Sequence, residues 1–179
     1  MLRPFWRGEG GRLGMIKCLK INSKMQKFLD EIAHKQKQTE IKVDFNMANN
    51  VIFAEFLEWE GCVLLRQDRN DVLPSQFSSN QFIPDRTAFE ADYNHVHLND
   101  FFPENVNPFL VFILTTKIIE VWAAILYKQF NHNKRFILVL SFDGEEVVLR
   151  FYTVRENESP WLEPSSIESY IDGLMIIEV

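Results

Sequence analysis

His95 and His97 stand one residue apart, with Glu90, Asp92 and Asp100 close by in the chain. Two imidazoles and a carboxylate are what zinc or iron takes when the three converge at bonding distance. On a strand, residues two apart point the same way, which would let the histidine pair face one ion. The opposing reading is a pair of satisfied polar side chains on an edge strand. His-x-His is a common chance pattern and no third ligand is fixed by spacing, so the edge-strand reading is favoured, with no metal and no cofactor. Nucleophiles have less support. Cys18 and Cys62 sit in apolar stretches, where cysteine behaves as a small buried hydrophobe. No serine occupies a nucleophile-elbow context. The only adjacent glycines, Gly10-Gly11, lie near the start, away from any strand-to-helix phosphate loop. The residue types therefore point away from an enzyme.

Binding chemistry has more material. Arg150 and Arg155 flank Tyr152, and arginine and tyrosine are favoured interface anchors. The simpler reading is an ion pair with a neighbouring carboxylate. From Asp143 to Val179, nine acids face two bases, a net charge of −7. Asp143, Glu145, Glu146, Glu156, Glu158 and Glu163, interleaved with Tyr152 and Trp161, form the candidate partner-binding set. Such a surface complements a basic protein, and charge matching speeds association and sets specificity. The opposing reading is a merely solvated acidic face.

The elements that must position these residues can be read from pattern. Pro108 suits the first turn of a helix, where its missing N–H has no intrahelical partner. From Phe109 to Phe130 nearly every residue is apolar or helix-forming, which predicts a long helix buried on most sides. Its length also fits a membrane span of about 20 residues. Lys117 and Glu120 fall mid-segment, where a charge costs about 2.5–3.5 kcal/mol, so a core helix is the better reading. Phe136–Phe142 and Glu146–Val154 flank Asp143-Gly144, a strong hairpin signal. A two-residue loop there would pair Leu140 with Val147, Leu138 with Leu149 and Phe136 with Phe151, one apolar face turned to the long helix.

Upstream, residues 1–14 lack periodicity and read as a disordered leader, leaving 15–179 as one domain. Ile16–Ile21 reads as a strand. Met25, Phe28, Leu29 and Ile32 recur at helical spacing, capped by Asn22 or Ser23. Thr39–Phe45 alternates as a strand. Val51–Trp59 and Cys62–Leu65 suggest a second hairpin across Glu60-Gly61, although Phe53, Phe56 and Leu57 also match a helix. The acids Glu55, Glu58 and Glu60 there read as a solvated face. Gln67–Arg86 reads as a long loop and Thr87–Phe102 as the segment carrying the histidines. Ser165–Asp172 reads as a short helix ended by Gly173, then Leu174–Val179 as a last strand. The fold class is α+β: a mostly antiparallel sheet of about five to seven strands, the long helix across one face and shorter helices near both ends.

A net charge of −6 disfavours nucleic-acid backbone binding, which needs phosphate-neutralising Lys and Arg. Two cysteines are too few for a disulfide framework and fit a reducing, cytoplasmic setting. The run FILVLSFDGEEVVLRFYTVRENESPWLEPSSIESYIDGLMIIE resembles the tail of small α+β immunity proteins from bacterial polymorphic and contact-dependent toxin systems. It resembles them in a hairpin, a short helix and a last strand. That resemblance implies a cytoplasmic protein that binds one cognate toxin and blocks it without catalysis, and the acidic tail suits a toxin that is a basic nuclease. The alternatives are another interaction or scaffold domain, and a small metal-dependent enzyme built on His95 and His97.

Overall fold

A computed structural model of the chain describes residues 16–35, 48–66, 73–130 and 133–179. Its elements run β1 (Lys17–Ile21), α1 (Ser23–Lys35), α2 (Asn49–Ile52), β2 (Phe56–Trp59), β3 (Cys62–Leu65), α3 (Arg86–Tyr93), β4 (Val96–His97), α4 (Pro108–Gln129), β5 (Phe136–Phe142), β6 (Val147–Thr153) and β7 (Gly173–Glu178), with 3₁₀ turns at Leu98–Phe101 and Pro164–Ser169. The main sheet has the order β1-β7-β5-β6-β4, and every neighbouring pair is antiparallel. β2 and β3 form a separate two-stranded sheet. The architecture is α+β, with the long helix laid across the main sheet.

That helix is capped by Asn107, whose side chain accepts from the Phe109 N–H at 2.9 Å, and Pro108 opens it. By length and composition it could cross a membrane, yet it supplies the centre of the core. Phe112, Ile119, Trp122 and Leu126 are fully buried. Phe112 stacks on Phe142 of β5 at 4.7 Å, and Trp122 meets Phe151 of β6 edge-on at 6.0 Å. Trp122 also donates its indole N–H to the Val51 carbonyl at 2.6 Å, tying α4 to the segment before β2. One core cluster runs through both sheets, from Val63 and Leu65 to Leu138 and Ile177. The other face of the main sheet carries a smaller cluster, with Ile137, Val139, Tyr152 and Ile176 under Leu162 and Ile167.

The β5–β6 hairpin keeps the expected faces but not the expected register. Phe142 pairs with Val147, Leu140 with Leu149 and Leu138 with Phe151. The loop is therefore four residues, 143–146, and each partner moves by two, which leaves the same side chains on the core face. A tight type I′ loop needs positive φ at both central residues, and of Asp143 and Gly144 only Gly144 has it, at 119°. The Asp143 carboxylate instead accepts from the Glu145 and Glu146 N–H groups, each at 2.8 Å, and holds the longer turn. The two-residue turn occurs at Glu60-Gly61, where both φ values are positive, 49° and 80°.

Three other segments take their elements from the structure. Val51–Trp59 is not one strand: a helical turn precedes a short β2. Thr87–Phe102 is α3, then a two-residue β4, then a 3₁₀ turn. The C-terminal helix is a 3₁₀ turn, Pro164–Ser169, and stops short of Gly173, which begins β7. The expected strand Thr39–Phe45 and the leader 1–14 lie outside the described residues.

Candidate functional site

β4 is two residues long, but its register decides where the histidines go. Val96 pairs with Leu149 and His97 with Val148 on the edge of β6, which sets His95 beside Arg150. Val96 and Leu149 turn into the core. The alternate positions face outward, away from α4. There the two imidazoles stand 4.5 Å apart, ring to ring. His97 Nδ1 is paired with a carboxylate oxygen of Glu146 from the hairpin tip. The Arg150 guanidinium lies 4.2 Å over the ring of Trp161, which is 39% exposed. The result is one connected stripe: Glu146, His97, His95, Arg150, Trp161.

Burial holds the His95 pKa below the ordinary imidazole value, and the nearby Arg150 charge and His97 add to the effect against Asp92 and Glu146. The hairpin tip beside it is braced. The Asn99 side chain donates to the Glu145 carbonyl at 3.0 Å and accepts from the Val147 N–H at 2.9 Å. The Asp143 carboxyl is held below its usual range by the Glu146 and Glu145 backbone N–H groups.

Beside β4 opens a groove of about 570 Å³. One wall is His95, His97, Asp100 and Phe101; the other is Asn50, Phe53, Glu55, Leu65 and Arg66. Phe53 is 66% exposed, and Arg66 closes on Glu55 at 2.7 Å.

The eight candidate partner-binding residues separate into three groups. Asp143, Glu145 and Glu146 are at the hairpin tip. Glu156, Trp161 and Glu163 are exposed on the segment after β6, which folds back so that Trp161 lies against Arg150. Glu158 and Tyr152 are engaged internally. Glu158 accepts from the Thr87 N–H and hydroxyl, each at 2.7 Å, at the start of α3. Tyr152 is 2% exposed, and burial pushes its phenol up to about 12. Tyr152 is therefore buried and Glu158 is held to α3, while the stripe runs from the hairpin-tip acids through Arg150 to Trp161.

The metal-like cluster meets only in part. His95 and His97 come together, but Glu90 is fully buried and ion-paired to Arg155 at 2.8 Å. Among the described residues, no group of three or more His, Cys, Asp or Glu is placed to hold a metal. Arg155 follows the ion-pair reading, with its partner on α3 instead of a neighbouring strand. Cys62 is fully buried, which with Glu90 nearby raises its thiol to about 11, and burial raises Cys18 as well.

The polar junction around Glu90 was missed in the sequence. Its carboxylate accepts from the Val63 and Thr153 N–H groups, the Thr153 hydroxyl at 3.0 Å and both Arg155 terminal nitrogens at 3.0 and 2.8 Å. One turn later, Asn94 accepts from the Leu65 N–H at 2.8 Å and donates to the Val63 and Phe151 carbonyls at 2.9 and 3.2 Å. Glu90 and Asn94 thus satisfy the facing backbone edges of β3 and β6, which no strand bridges among the described residues. The spacing of four that puts both on one helical face was the available signal.

A family model described as the Uncharacterized protein PM0498 family matches residues 20–179. No curated protein and no solved structure matches the chain.

Proposed function

The chain belongs to the Uncharacterized protein PM0498 family, and we propose that it is a non-catalytic, cytoplasmic binding protein that neutralises a basic bacterial protein toxin. The observation that carries this reading is the stripe Glu146–His97–His95–Arg150–Trp161 beside the groove. Tryptophan and arginine are enriched among residues that dominate binding energy. His97 and Arg150 of the stripe stand on paired strands, and the hairpin tip at one end is braced by Asn99. A surface already in its bound shape loses less freedom on association. Glu145, Glu146 and Asp100 at that end, with a net chain charge of −6, favour a basic partner.

The test has two parts. The tagged chain captures a basic protein from the native host, and co-expression of the chain abolishes that protein's toxicity. Trp161→Ala, and Glu145→Lys with Glu146→Lys, should each lose protection while remaining folded. A captured partner that is not toxic, or protection untouched by both variants, would overturn the proposal.

A second reading, a small enzyme, rests on the His97–Glu146 pair, because a carboxylate that orients an imidazole is also how a general base is held. It requires a turnover that Glu146→Gln reduces.

A further inference from the structure

Resting on the binding reading, we propose that the groove beside β4 receives a cationic side chain, a guanidinium or ammonium, from a basic polypeptide partner. Its volume of about 570 Å³ accommodates a long side chain and its neighbours. Phe53 stands 66% exposed in one wall, and Phe101 lines the other. An aromatic ring exposed in a concave wall suits the alkyl stem of Arg or Lys and attracts its charged head.

The charges select a cation. Arg66 is neutralised by Glu55 at 2.7 Å. Arg150 is drawn to the Trp161 ring. Asp100 is exposed in the groove wall and holds no ion pair among the described residues. Glu146 reaches the same wall through His97. An acidic partner would meet both carboxylates, and a neutral one would leave Asp100 without a counter-charge. The aromatic walls favour a cation on an alkyl stem over a small inorganic ion, and no metal-ligand group of three or more residues forms there among the described residues.

His95 makes occupancy depend on pH. His95 faces Arg150, His97, Asp92 and Glu146. Histidine is the side chain whose charge changes between about pH 5 and 8. Protonation at this wall places positive charge where the incoming cation must sit, and offsets Glu146. Binding therefore weakens as the pH falls.

The probe is the tripeptide amide Ac-Gly-Arg-Gly-NH2, titrated into the isotope-labelled full chain and followed by NMR, with Ac-Gly-Glu-Gly-NH2 as control. Saturable shifts are expected at Phe53, His95, His97 and Asp100 with the arginine peptide alone. Asp100→Asn should weaken the apparent affinity about threefold to fivefold, the effect of one partly exposed ion pair. Phe53→Ala should weaken it too, and acidification below the ordinary imidazole range should weaken it progressively. Both substitutions are at exposed positions, so the variants remain folded. Equal response to the two peptides, a silent groove, or an unchanged Asp100→Asn titration overturns the proposal. A silent groove in a chain that still neutralises a basic toxin through Trp161 removes the groove assignment alone. A groove that titrates as expected in a chain that neutralises nothing supports the cation site while removing the toxin reading.

Discussion

Glu90→Gln offers the sharpest test of how the two sheets are joined. Glutamine keeps the shape and one acceptor oxygen, but it cancels the charge and turns an NH2 group toward donors. Glu90 is fully buried, and the Arg155 side chain is only 16% exposed. Burial alone would lower the Arg155 pKa, yet the Glu90 carboxylate, with smaller help from Glu158 and Cys62, offsets that and leaves it raised. Removing one partner of a buried pair strands the other, at about 3–5 kcal/mol. The Val63 and Thr153 N–H groups also depend on this carboxylate, and a buried N–H left without an acceptor costs about 1–3 kcal/mol. These costs overlap, so about 3–5 kcal/mol is the working figure for the substitution. A chain of this size loses about 2–4 °C in Tm per kcal/mol, giving a drop of about 6–20 °C by circular dichroism. Amide exchange should quicken first at Val63 and Thr153. A drop below about 2 °C, with protected Val63 and Thr153 amides, would show that the junction does not depend on the charge. Arg155→Gln in the Glu90→Gln background should cost less than the two single changes summed, because the stranded charge is gone.

Three further outcomes follow from other parts of the molecule. At Gly173 an added Cβ would lie 2.9 Å from Phe28 Cδ2 and 3.0 Å from Met25 Cα, so Gly173→Val should lose about 1–3 kcal/mol in urea unfolding by forcing α1 off β7. Cys62 should resist iodoacetamide in the native protein and react only after denaturation, with Cys18 ahead of it in peptide mass mapping, since Cys62 is fully buried with its thiol raised to about 11. His95 has a folded-state pKa below its unfolded value, so the unfolded chain binds the extra proton. Its contribution is therefore fully present above the ordinary imidazole value of about 6.5 and is lost as pH falls toward the lower folded value. Tm measured across that window should fall less steeply in His95→Gln.

The sequence was most legible where one period runs uninterrupted. The 22 residues of α4 and the alternation of β5 and β6 were readable because their apolar positions repeat against a single core. The four-residue hairpin loop was not, because Asp143-Gly144 carries a generic turn signal, and only the Asp143 bonds to two amides decide its length. Thr87–Tyr93 was hidden for another reason. Its helix is eight residues long, and its cap, Asp85 accepting from the Ala88 N–H at 2.7 Å, lies inside what reads as loop. Without that helix the i, i+4 relation of Glu90 and Asn94 has no visible meaning in the sequence. The stripe was legible only in pieces. His95, His97, Glu146 and Trp161 each stood out, but the pairing of β4 with β6 that joins them is a contact between residues about 50 positions apart, which no local pattern encodes.

The acidic C-terminal segment, Asp143–Val179, does two different kinds of work, and net charge conceals the division. Glu158 turns inward, onto Thr87 and toward Arg155, and helps hold α3 where Glu90 and Asn94 can bridge β3 and β6. Glu145 and Glu146 turn outward on a turn that Asp143 and Asn99 hold in shape. Charge reversal of the inward residue should therefore act through unfolding, and reversal of the outward pair through association. The same β6 strand serves both, since Thr153 at one end donates to Glu90 of α3 while Val148 and Arg150 carry the histidine stripe. A rigid β6 is thus the shared requirement. Loosening the Glu90 junction would blur the stripe before the protein unfolds, so partner affinity in Glu90→Gln should decline at temperatures well below its lowered Tm, whereas Glu145→Lys with Glu146→Lys should weaken binding at every temperature and leave Tm nearly unchanged.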